Sequence, residues 1–136
     1  MLIEWTDSLS VKIAEIDMQH KKLVSLLNGL HEATQDGRRA VPLAPLFGEL
    51  LAYAAVHFET EERLMEKYRF PDLPAHRSEH ERFVRQVVGF KELQEFEFYS
   101  QILSLDLLTF LKNWLQNHIL KTDMLYGPYL NARGVN

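Results

Sequence analysis

Histidines and carboxylates recur inside apolar helical stripes, and that combination restricts the folds open to this chain. In His57-Phe58-Glu59-Thr60-Glu61, His57 and Glu61 stand four residues apart, as do His76 and His80 in His76-Arg77-Ser78-Glu79-His80. Residues at i and i+4 share one face of an α-helix. Both pairs also fall in step with apolar residues: Leu46, Leu50, Ala54 and Leu64 around the first, Phe83, Val87 and Phe90 after the second. Two further stretches repeat the pattern. His20 leads Leu23, Val24, Leu27 and Leu30, and His118 follows Leu103, Leu107, Leu111, Trp114 and Leu115. A helix turns its apolar stripe to the core, so these imidazoles and carboxylates go inward with it.

The periodicity predicts four helices. The first spans about Asp17 to Gln35, with Asp17 as N-cap and Gly37 as stop. The second runs from near Pro42 to about Tyr68. The third covers about Pro74 to Gln94, after the break Phe70-Pro71-Asp72-Leu73-Pro74. The fourth covers about Ser100 to Lys121, after a short break near Phe96–Tyr99. Gly127 and Pro128 predict a turn after Tyr126. Helices of roughly 20 residues with short connections predict an all-α, up-down-up-down four-helix bundle. An N-terminal extended segment and a short C-terminal tail complete the expected single domain, residues 1–136.

Composition narrows the function. Net charge is −4 and the basic pairs Lys21-Lys22 and Arg38-Arg39 are isolated, so no nucleic-acid partner is expected. No apolar run approaches a membrane span, and the N-terminus carries no secretory signal. The expectation is a cytoplasmic protein without membrane insertion. Cysteine is absent, so a metal here would be held by nitrogen and oxygen ligands.

Burying His20, His57, Glu61, His76, His80, His118 and Asp123 in one small core is costly unless something compensates them, and a metal centre would. A lone histidine on an apolar stripe is usually an ordinary core residue. Four helices each contributing, with almost no histidine left over, is a stronger signal. His31 is the one left over. It lies roughly 16 Å along the first helix from His20 and reads as structural or surface. His118 and Asp123 are five apart and would point about 140° from each other on a regular helix. Both can face one site only if the helix ends or widens between them, as at a π-bulge. Tyr126, three residues past Asp123, is a candidate to hydrogen-bond near the centre. Glu59, Glu62 and Glu66 fall off the stripe and read as solvated charges.

Four segments resemble hemerythrin-type proteins, specifically bacterial single-domain ones. They are Ile16-Asp17-Met18-Gln19-His20, His57-Phe58-x-x-Glu61-Glu62-x-x-Met65, His76-x-x-x-His80 and Trp114-Leu115-x-x-His118-x-x-x-x-Asp123. The resemblance implies two iron ions (Fe2+/Fe3+) joined by a bridging oxo or hydroxo group. His76, His80 and His118 would bind one iron, His20 and His57 the other, and Glu61 and Asp123 would bridge them. One coordination position would stay open on the two-histidine iron, for O2. Leu23, Phe58, Trp114, Leu115 and Ile119 match the apolar O2-pocket positions of the family.

The implied function is reversible O2 binding, for storage, transport or delivery, without enzymatic turnover. The chain has no Glu-x-x-His triplet, the motif of carboxylate-rich di-iron proteins. Fewer carboxylates donate less charge, which favours binding over oxidation chemistry. The alternatives are an O2 or redox sensor, for which further output domains would be expected, and a di-iron oxidase or peroxidase. Expected partners are O2 and an oxygen-consuming enzyme as recipient, with the protein itself a monomer.

Overall fold

The computed structural model describes residues 2–35, 43–93 and 100–136. After a single 3-10 turn at Asp7–Leu9, the chain forms α1 (Ala14–Gln35), α2 (Leu43–Lys67), α3 (Leu73–Leu93) and α4 (Ser100–Trp114). A π-helical segment, Leu115–Thr122, continues α4 and leads into α5 (Asp123–Asn131). Both α1 and α3 pack beside α2 and α4, as in an up-down-up-down bundle. The Gly37 stop and the Phe96–Tyr99 break lie outside the described residues.

Helix ends depart from the sequence reading in instructive ways. The first helix begins at Ala14, so Asp17 sits inside its first turn and is not the N-cap. Its carboxylate instead accepts bonds from the Val11 N–H (2.9 Å) and the Ser10 hydroxyl (2.5 Å), tying the incoming chain down. Buried Ile13 and Ile16 favour the earlier start. At the far end of α2, Arg69 adopts a left-handed conformation (φ 57°). The Phe70 N–H bonds to Met65 O (2.8 Å) and the Arg69 N–H to Glu66 O (3.2 Å), the paired closure of a Schellman motif. The Tyr129 hydroxyl serves the carbonyls of Tyr68 (2.7 Å) and Arg69 (2.9 Å) with its one proton, which fastens this turn to α5. Pro74 falls in the first turn of α3, where a missing N–H costs nothing.

The chain does not turn after Tyr126, contrary to the expectation from Gly127 and Pro128. Helix α5 continues to Asn131. Tyr126 and Leu130, both buried, hold it against the bundle, and that packing outweighs the backbone bond Pro128 cannot make. Gly127 matters for clearance instead. A Cβ there would stand 3.3 Å from Val11 O, so glycine lets the N-terminal segment approach α5.

The apolar core is in two parts. One, near the α1 C-terminal half, includes Leu27, Phe47, Leu50, Phe83, Leu107, Leu111 and Ile119. The other gathers Val11, Ile16, Met65, Phe70, Leu73, Tyr126 and Leu130. His20 on α1, Glu61 on α2, and His76 and His80 on α3 lie between the residues of one part and those of the other. No helix among the described residues is long and apolar enough to cross a membrane.

Candidate metal centre

All seven residues singled out by spacing meet in this intervening layer, each at most 3% exposed. Their donor atoms form two overlapping groups, each drawn together within 4.8 Å: Glu61 with His76, His80 and His118, and His20, His57, Glu61 and Asp123. The carboxylates divide between the groups oxygen by oxygen. Glu61 Oε1 faces His57 and His20, and Oε2 faces His76 (2.8 Å) and His80 (3.7 Å). Asp123 Oδ2 faces His20 (3.1 Å), and Oδ1 faces His76 (2.9 Å) and His118 (3.0 Å).

His76 Nε2 and Glu61 Oε2 hydrogen-bond (2.8 Å), but several of the other atoms attract one another without satisfying one another. His80 Nε2, His118 Nε2, Glu61 Oε1 and both Asp123 oxygens are buried and make no aligned hydrogen bond. Donors this close and this poorly aligned suit a shared cation at the centre better than mutual pairing, and five imidazoles with two carboxylates form a ligand set that iron, among other transition metals, accepts. A five-nitrogen, two-carboxylate set split three and two thus fits a pair of ions.

The electrostatics of the metal-free protein follow from the same crowding. Burial by itself lowers His20 and His76, but hydrogen bonding and charge from Asp123 and Glu61 win, raising them to about 9 and about 10. His118 is raised against burial, chiefly by Asp123. For His57 burial prevails over Glu61, and its pKa falls. Burial pushes Glu61 and Asp123 up, yet the surrounding imidazoles hold both below the usual carboxylate range.

His57's proton can be located. Thr60 Oγ1 donates its single proton to Val56 O (2.9 Å), so toward Gln19 it can only accept, and Gln19 Nε2 donates to it (3.1 Å). Gln19 Oε1 therefore faces His57 Nδ1 (2.7 Å) and accepts its proton. The Nε2 lone pair is left pointing at the centre.

His118 and Asp123 face one site because the helix between them is wound as π, as their spacing requires. The Asp123 N–H bonds to His118 O, five residues back. His31 is partly buried on α1 and belongs to neither donor group.

Three polar residues behind the histidines are not visible from the helical stripes. Glu79 accepts from His118 Nδ1 (2.5 Å), Glu62 from His80 Nδ1 (3.2 Å), and Gln19 from His57 Nδ1. Glu62 is thus no free solvated charge. It also takes a bond from Arg77 Nε (2.8 Å). Each residue adjoins a site residue in sequence but serves a histidine on the next helix. One step along a helix turns a side chain about 100°, off its own site face and behind the neighbour's ring. A polar residue directly beside a candidate ligand is therefore a usable sequence signal.

Aromatic rings wall the site. Phe58 stacks on His80 (3.9 Å) and Trp114 on His118 (4.0 Å), both in the three-histidine group. Phe58 is 5.8 Å from His57, so its closer contact is not on the two-histidine side. Leu23, Leu115 and Ile119 are buried in the same apolar cluster. Tyr53, which its sequence context does not single out, stacks on His57 (5.1 Å), and Tyr126 lies 5.5 Å from His76. The Tyr126 hydroxyl has no aligned partner; burial, then Glu61 and Asp123, push its pKa well above normal.

Comparison with known proteins agrees with this arrangement. Residues 11–130 match the hemerythrin HHE cation-binding domain. A bacteriohemerythrin of Methylococcus capsulatus is 32% identical over 96% of this chain and 98% of its own. A hemerythrin-like protein of Naegleria gruberi is 35% identical over 93% of this chain and 92% of its own. The crystal structure of a wild-type hemerythrin superposes with a TM-score of 0.76 at 31% identity, covering 96% of this chain and 98% of that one. Sequence and fold together make this chain a member of the hemerythrin family.

Proposed function

We propose that the protein binds O2 reversibly at a di-iron centre and performs no turnover of its own. His76, His80 and His118 would hold one iron, His20 and His57 the other, and Glu61 and Asp123 would serve both. The observation that carries this reading is the division of both carboxylates, one oxygen toward each histidine group. When bound, the iron pair supplies the electrons that hold O2 and takes them back on release.

The chain's own residues make that reversible. Five neutral imidazoles keep the centre short of the carboxylate charge that favours oxidation chemistry. Leu23, three residues past His20, and Leu115 and Ile119, which flank His118 in sequence, are nearly or fully buried and keep water from the centre, while Phe58 and Trp114 fix the ring planes of His80 and His118. Surface depressions reach His80 beside Glu62 and His118 beside Glu79, but Glu61 and Asp123 have no exposure at all. Burial of both bridging carboxylates favours a small ligand over a bulky substrate. The names of the relatives point the same way.

The test is metal analysis together with optical spectra of anaerobically reduced protein before and after air. Two irons per chain, and a charge-transfer spectrum that appears with O2 and disappears on its removal, are expected. One metal or fewer at saturation, or an irreversible change on first contact with air, would overturn the reading.

A further inference from the structure

The residues behind the histidines differ in charge between the two halves of the site. On the three-histidine side, His118 and His80 each donate Nδ1–H to a carboxylate, Glu79 at 2.5 Å and Glu62 at 3.2 Å. On the two-histidine side, His57 donates to the neutral amide of Gln19 (2.7 Å), and His20 Nδ1 is buried without a partner. A carboxylate behind an imidazole draws its proton away and makes the opposite nitrogen a stronger donor. An amide does so far less.

From this we infer that Glu79 and Glu62 are positioning residues that make the three-histidine position the better ferric site, while Gln19 leaves the two-histidine position the better ferrous one. The inference rests on the di-iron reading above. Withdrawal of the first electron by an external one-electron acceptor then leaves the added positive charge on the three-histidine side, and no bond forms or breaks. The last electron stays beside the position proposed for O2. The contributions are ranked by geometry. Glu79 makes the shorter bond, and among the described residues its other oxygen meets only the Thr122 hydroxyl at 3.5 Å. Glu62 shares its charge with Arg77, so its effect is the smaller.

Spectroelectrochemical titration of the iron-loaded full chain separates the two one-electron steps. Glu79→Gln keeps an acceptor of the same shape but removes the charge. It should weaken the ferric preference of the three-histidine position about tenfold, raising the lower of the two potentials by about 59 mV and narrowing the gap. Glu62→Gln should move the same step less. Gln19→Glu should lower the upper step instead. Glu59→Gln removes an exposed charge of α2 that among the described residues pairs only with Arg63, and should leave the gap as it was. The inference fails if Glu79→Gln leaves both steps in place, or moves both equally. It also fails if Gln19→Glu shifts the lower step. Wild-type protein is assayed for iron first. A count of two with no selective shift sinks this inference alone, whereas a lower count sinks the di-iron reading beneath it.

Discussion

Glu61 is an ionised side chain with no exposure, surrounded by four histidines. Replacing it removes one contact from each half of the site at once. Glu61→Ala should therefore reduce iron to less than one per chain in metal analysis, and full loading would show that it does not bridge. Leu115 tests the wall and not the ligands. It is almost wholly buried, one turn before His118. Leu115→Ala should cost about 2–5 kcal/mol of folding stability while iron content survives. Water reaching the cavity should then speed spontaneous oxidation of the oxygenated protein. Stopped-flow O2 binding followed by hours of absorbance readings measures this, and an unchanged rate in folded, loaded protein would reduce Leu115 to core packing. At this scale the sequence is most legible where spacing alone decides. His57 with Glu61 and His76 with His80 are set by one helix each. For Gln19, Glu62 and Glu79, adjacency to a site residue is legible but the histidine each serves is not, because what they touch depends on which helix lies alongside.

Among the elements, the π segment is the one the sequence itself requires. His118 and Asp123 stand five positions apart, and both must look inward. The extra residue is absorbed by wide winding over Leu115–Thr122. Lys121 lies exposed within it. Deleting Lys121 leaves a four-residue spacing that an ordinary α-helix satisfies. The shortened protein should keep both irons and melt within a few degrees of wild type. Loss of iron on deletion would mean that the wide turn itself, not merely the facing of its ends, is needed. The α5 helix shows the opposite case. Gly127 and Pro128 read locally as a turn, yet the helix persists because Tyr126 and Leu130 have a core to enter and Gly127 has Val11 to accommodate. Local propensity cannot register a partner more than a hundred residues away.

For the molecule as a whole, metal and protons compete for one set of nitrogens. Without metal, His20 and His76 titrate near 9 and 10 instead of 6.5. A raised folded pKa stabilises the folded state below the unfolded value, and that contribution disappears as pH climbs through the folded one. The lowered pKa values of Glu61 and Asp123 act at the other end, their contribution being lost on acidification below the ordinary carboxylate range. His57, lowered, works against folding below 6.5. Chelated protein should therefore melt at falling temperatures from pH 7 to pH 10. Iron-loaded protein, whose histidines are held neutral, should not follow it, so calorimetry should find the gap between the two widening with pH. Loading at pH 7 should release about two protons, measurable in weakly buffered solution. A gap that stays constant would mean the histidines are not charged in the metal-free state. The divided core gives this a spatial form. The site layer is the floor of one apolar cluster and the ceiling of the other, and the smaller cluster holds Val11 and Ile13 ahead of α1, the α2–α3 turn and α5. Emptied, with several buried donor atoms left without aligned partners, the layer would separate one cooperative unit into two. Amides around Val11, Phe70 and Leu130 would then exchange with solvent by a local opening that leaves Leu27, Phe83 and Leu111 protected, so the ion pair would govern not only how firmly the protein folds but how many pieces it folds as.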